Sequence, residues 1–170
     1  MKNIDHNYLP RQYEFTNELP INHNYLPQQF EDSEEVIDEI RKLVVRGDFT
    51  LGKAVNEFEG EFKKIANSKY AIGVGSGTDA LFLSLKALGI KEGDEVITTP
   101  YTFYATIGAI VTAGATPKFV DIGDDYNIDP NLIEDSITHL TKAIVPVHWS
   151  GLLCNMKQIN LIAKKFKLKV

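Results

Sequence analysis

Only one of the 170 residues is a cysteine, Cys154, so the chain has no internal disulfide available to it. Its four histidines, His6, His23, His139 and His148, never fall at the i, i+4 spacing that puts two ligands on one helix face, so no metal site is expected. Positive charge is also short: 18 Lys and Arg face 23 Asp and Glu, a net charge of −5 with no basic stripe. That excludes the usual electrostatic footprint of a nucleic-acid binder. Long apolar runs are missing too. Met1 to Glu14 holds no apolar stretch of the kind a secretory leader needs, and the uncharged run Thr98 to Pro117 is broken by prolines, glycines and threonines. Neither a leader nor a membrane span is expected, and a reducing, cytoplasmic setting fits these absences.

What is present is enough apolar material for a core, at 44% hydrophobic residues. The segment His6 to Glu14 returns as His23 to Glu31, offset by 17 residues. Two short copies, each with a proline, cannot stack into a solenoid, so residues 1–32 read as an extended arm lying on the surface of a domain spanning 33–170. Asp32, followed by Glu34 and Glu35, is a helix-cap candidate. Val36, Ile37, Ile40, Leu43 and Val44 then recur at helical spacing until Gly47, and Val55, Phe58, Phe62 and Ile65 do so after Gly52.

From Tyr70 the pattern alternates. Strands are predicted over Tyr70 to Gly75, Glu95 to Thr99, Lys118 to Ile122 and Ala143 to His148, with Leu168 to Val170 as a strand opening. Helices are predicted over Thr78 to Leu88, Thr102 to Ala113 and Met156 to Phe166, with a short one opened by Asp129 and Pro130. Strands alternating with helices imply crossover units, a mostly parallel sheet and a three-layer α/β sandwich. A strand beginning at Leu168 and stopping at Val170 is short for such a sheet, so the domain is expected to be truncated on its carboxyl side.

In open α/β sheets ligands lie beyond the carboxyl ends of the strands, which directs attention to four segments. Gly75-Ser76-Gly77-Thr78-Asp79 is glycine-rich and opens a helix, so its backbone N–H groups and hydroxyls suit an anion, above all a phosphate. It also fits Gly75-x-Gly77-x-x-Ala80, a relaxed dinucleotide fingerprint, but the next strand ends in Thr98-Thr99-Pro100 and offers no acid for a ribose. A bare strand-to-helix turn is the third reading. Phe103, between Tyr101 and Tyr104, places an aromatic ring at the crevice rim for stacking on a flat cofactor. His148 follows the fourth strand beside the same crevice, and Asp121 reads as a turn or supporting residue.

Taken in order, these residues resemble the DegT family of aminotransferases, pyridoxal-phosphate enzymes of nucleotide-sugar and polysaccharide biosynthesis. The resemblance runs through Gly47 to Gly52, Gly73 to Leu81, Gly93 to Thr98, Thr102-Phe103, Ala113 to Pro117, Phe119 to Asp121, Thr141 to Ile144 and Pro146 to His148. It implies a fold-type-I large domain in which Gly77, Thr78 and the backbone N–H of Asp79 bind the phosphate of pyridoxal 5'-phosphate. Phe103 would stack on the pyridine ring, and His148 would lie near the cofactor. It further implies a keto-sugar nucleotide as substrate, an amino-acid donor such as glutamate, and a homodimeric parent.

The family's aspartate that pairs with the pyridine nitrogen, and its Schiff-base lysine, fall beyond Val170. The chain is therefore expected to be inactive alone and to contain no catalytic residue. No lysine after a strand offers a substitute, because Lys53, Lys63, Lys64, Lys69, Lys86, Lys91, Lys164 and Lys165 belong to helices or turns. Two other readings stand beside this one: a non-catalytic remnant acting as a dimerisation or binding module, and a dinucleotide-dependent oxidoreductase.

Overall fold

Glu34–Arg46 forms the first helix among the described residues, α1, with Glu34 and Glu35 in its first turn and Arg46 in its last, complementing the helix dipole at both ends. This computed structural model describes residues 30–170, so the duplicated segment up to residue 29 lies outside the described residues. The N-cap of α1 is Ser33 rather than Asp32, and it makes no side-chain cap bond. Gly47 ends the helix at φ +67°, its N–H bonded to the Val44 carbonyl. The second helix, α2, spans Lys53–Ile65, and Asp48 Oδ2 accepts the Lys53 N–H at 2.8 Å. Both helices carry the expected apolar stripe, yet no residue of either is buried. They belong to a first unit that ends at Ala71; the second unit runs from Ile72 to Val170.

The second unit is built on three parallel strands in the order β2-β1-β3: β1 Glu95–Thr98, β2 Thr116–Phe119 and β3 Thr141–Ile144. Helix α3, Gly77–Ala87, precedes β1, and α4, Tyr104–Thr112, joins β1 to β2. A short helix α5, Ile133–Ser136, precedes β3, and α6, Met156–Phe166, follows it. Alternation along the strands sorts the core into two layers. Val96 and Ala143 pack with Leu85 of α3 and Ala109 and Ile110 of α4. Ile97 and Ile144 pack on the opposite face with Ile133 of α5 and Ile159 and Ile162 of α6. The result is the three-layer α/β arrangement, and each fully buried isoleucine contributes about 1.5–3 kcal/mol.

One predicted strand is absent. Tyr70 to Gly75 joins no strand, and Ile72 is 80% exposed. A β-branched apolar run becomes a strand only where a neighbouring strand offers its ladder, and this run pairs with none of the three described strands. The strand predicted over Glu95 to Thr99 forms as β1 from its predicted first residue, and the next two start two residues early. β2 starts at Thr116, and Val120 extends its ladder through an N–H bond to the Thr98 carbonyl at 2.9 Å. Pro117 is tolerated because β2 lies at the sheet edge. β3 starts at Thr141 and closes its ladder with the Val145 N–H on the Ile97 carbonyl at 2.8 Å, since Pro146 has no N–H to continue it. The predicted opening at Leu168 appears as a parallel bridge from Lys169 to Ala143.

Candidate active site

Helix α3 leads through Ile90 into the amino end of β1, which puts its own amino end, with Gly77 and Thr78, at the carboxyl side of the sheet. Lys86 Nζ near the end of α3 donates to the Ala113 carbonyl just after α4, at 3.5 Å, so the two helices run in the same sense. The amino end of α4, capped by Phe103, therefore lies on that side as well.

Ser76 is the N-cap of α3, its backbone extended at φ −163° and ψ 167°. Its Oγ accepts the Asp79 N–H at 3.1 Å, as a cap serine does. The N–H groups of Gly77 and Thr78, at the first two helical positions, have no acceptor within the helix. Thr78 is exposed, and the space beside the Gly77 Cα is open. At Gly75 a Cβ would come within 2.7 Å of Asp79 Oδ2, so glycine lets that carboxylate fold back over the turn. The Asp79 N–H, expected to reach a phosphate, is thus already engaged by Ser76.

Phe103 is 65% exposed, with its ring 4.4 Å from that of Tyr104 and tilted by 51°. It is a rim residue and takes no part in the core. His148 is exposed, and its Nδ1 accepts the backbone N–H of Cys154 at 3.2 Å. Asp121 closes a local turn, its Oδ1 accepting the Ile122 N–H at 2.8 Å.

The loops after all three strands meet through residues given no role from sequence. Tyr101, after β1, has its ring 4.3 Å from Trp149, after β3, and 5.7 Å from Tyr126, after β2. Beneath them Asn127, 1% exposed, accepts the Trp149 N–H at 3.0 Å and donates to the Leu152 carbonyl at 3.3 Å and to Asp125 Oδ2 at 3.2 Å. Nothing in the sequence marks Asn127, because it sits among turn-forming residues and two of its partners, Trp149 and Leu152, lie more than 20 positions away.

Cys154 is buried, and its Sγ donates to the Val147 carbonyl at 3.1 Å. Burial, reinforced by the Asp125 carboxylate, pushes its thiol up from the ordinary value, so it stays protonated and unreactive. Among the described residues no group of His, Cys, Asp or Glu could hold a metal ion, and no helix is long and apolar enough to cross a membrane.

Residues 31–170 match the DegT/DnrJ/EryC1/StrS aminotransferase family. The chain belongs to this family. It is 46% identical over 138 residues to the dTDP-3-amino-3,6-dideoxy-alpha-D-galactopyranose transaminase of Aneurinibacillus thermoaerophilus, covering 81% of this chain and 38% of that protein. It is 45% identical over 138 residues to the spore coat polysaccharide biosynthesis protein SpsC of Bacillus subtilis, covering 81% of this chain and 36% of that one. Among solved structures, ntda of Bacillus subtilis with bound cofactor PMP superposes with a TM-score of 0.83 at 34% identity, over 100% of this chain and 40% of that one. DesV of S. venezuelae superposes with a TM-score of 0.81 at 36% identity, over 85% of this chain and 39% of that one. This DegT/DnrJ/EryC1/StrS chain thus spans under two fifths of the length of the relatives it matches.

Proposed function

We propose that this chain forms the phosphate-cradling and ring-stacking part of a pyridoxal-phosphate-dependent aminotransferase acting on a keto-sugar nucleotide, with glutamate as the amino donor. The observation that carries the reading is the first turn of α3, where two N–H groups without helical acceptors and an exposed threonine hydroxyl share one sheet edge with the exposed Phe103. This donor set fits a phosphate dianion at a helix N-terminus. Gly77 and Thr78 supply N–H groups, Thr78 adds its hydroxyl, and the Asp79 N–H joins them when the Ser76 hydroxyl gives way. Phe103 offers a ring face to the pyridine, and His148 stands across the crevice after β3.

When bound, the cofactor supplies an electrophilic carbon and an electron sink. The residues of this chain bind and orient it. No lysine occurs in 75–79, 99–104, 121–128 or 145–154, the segments that border the crevice, so the chain on its own carries no nucleophile for covalent attachment and does not transaminate. The assembled enzyme is proposed to be a homodimer, as the family resemblance implies.

Titration of the labelled chain with inorganic phosphate and with pyridoxal phosphate, followed by amide chemical shifts, tests the site. Shifts are expected at residues 75–79 for both ligands, with millimolar affinity. The helix dipole contributes about 0.3–1 kcal/mol and each hydrogen bond about 0.5–1.5 kcal/mol. Thr78→Val is expected to weaken both ligands, and Phe103→Ala to weaken pyridoxal phosphate alone. Shifts clustered elsewhere would overturn the cradle, and equal losses for both ligands in Phe103→Ala would overturn the stacking role.

A further inference from the structure

The turn Trp149–Gly151 has no ladder of its own, and within it Ser150 stands at φ +50°, a left-handed conformation that a non-glycine residue seldom adopts. Such a turn persists only where its surroundings fix it. Here one side chain grips both of its ends: Asn127 Oδ1 accepts the Trp149 N–H at 3.0 Å, and Asn127 Nδ2 donates to the Leu152 carbonyl at 3.3 Å. The second Nδ2 proton goes to Asp125 Oδ2 at 3.2 Å. An amide is required, because the site needs one acceptor and two donors from a single planar group.

The fold of this turn brings the Cys154 N–H to His148 Nδ1 at 3.2 Å. A backbone N–H can only donate, so Nδ1 presents its lone pair, and in the neutral ring the proton resides on Nε2. The imidazole then has no lone pair left for a reacting group.

We propose that Asn127 is a positioning residue that, by clamping this turn, holds His148 as an Nε2–H hydrogen-bond donor and withholds it from service as a base. The ligand it suits is an anionic oxygen of cofactor or substrate. That last point rests on the proposed function; the tautomer and the clamp do not.

The test is a long-range proton–nitrogen spectrum of the uniformly 15N-labelled 170-residue chain without cofactor. His148→Gln assigns the ring among the four histidines. The expected result is a neutral His148 ring protonated on Nε2, with a nitrogen–nitrogen coupling across the hydrogen bond from the Cys154 amide to Nδ1. In Asn127→Ala the coupling is expected to vanish and the ring to drift toward a solvent-like tautomer mixture, while melting remains cooperative. Asn127→Asp keeps the acceptor for Trp149 and loses the donor to Leu152, so the coupling should weaken there; this variant decides the matter if Asn127→Ala does not fold. A wild-type ring protonated on Nδ1, or a coupling that persists unchanged in the variants, overturns the proposal. Adding pyridoxal phosphate separates the two readings: failure to perturb the Nε2 proton would count against the placement of the cofactor and leave the clamp intact.

Discussion

Tyr101 and Trp149 hold their rings 4.3 Å apart at a tilt of 43°, joining the loop after β1 to the loop after β3 across 48 positions of sequence. Trp149 is the only tryptophan, so its emission reports on this one contact. Tyr101→Ala is expected to change the emission maximum and intensity, and to cost about 0.5–1.5 kcal/mol in urea unfolding beyond the lost burial. Unchanged emission would mean that the two loops are not coupled through these rings.

Ser76 accepts the Asp79 N–H, the donor for which an incoming phosphate would compete at the proposed cradle. Ser76→Ala should lower the stability of the ligand-free chain by about 0.5–2 kcal/mol. Phosphate should then raise the melting temperature of the variant by more than that of the parent, because no hydroxyl has to be displaced. A smaller rise in the variant would show that Ser76 itself holds the anion.

Gly114 turns the chain from α4 into β2 at φ +96°, and a Cβ there would lie 3.1 Å from the backbone nitrogen of Glu92. The neighbour is main chain and cannot rotate away. Gly114→Ala is therefore expected to destabilise the second unit by about 1–3 kcal/mol, seen as a lower denaturant midpoint. The β2 edge and Val120 should show the first loss of amide protection.

At the opposite end of the sheet Glu95 Oε2 accepts Thr138 Oγ1 at 2.5 Å and Thr141 Oγ1 at 3.3 Å, and Lys118 Nζ stands 3.7 Å away. The Thr138 hydrogen bond, with help from Lys118 and Thr141 against the cost of burial, holds the Glu95 carboxyl below its ordinary value. A lowered folded pKa means stability that is complete above the unfolded value of about 4.3 and is lost as pH falls through the folded one. Glu95→Gln should flatten this acid limb while changing little in how stability varies near neutrality. An acid limb as steep as the parent's would assign it to other carboxyls.

The family and the three-layer plan were legible in the sequence because the signals for both are written locally. Helical spacing in 36–44, the Ser76-Gly77-Thr78 opening of α3, the glycines closing the helices and the position of Phe103 before α4 are choices made within a few neighbouring residues. Tyr70 to Gly75 had the local features of a strand, but a strand exists only through its partner, and that lay outside what periodicity can read. The same holds for Asn127. Its amide serves donors and acceptors brought together by the loops after β2 and β3, strands that are not neighbours in the sheet order β2-β1-β3. Sequence alone singled out the residues now proposed to bind an anion and stack on a ring. Tertiary structure decided which distant groups meet, setting the Asn127 amide on the Trp149 N–H and the Leu152 carbonyl, since a hydrogen bond between groups distant in sequence is fixed by packing.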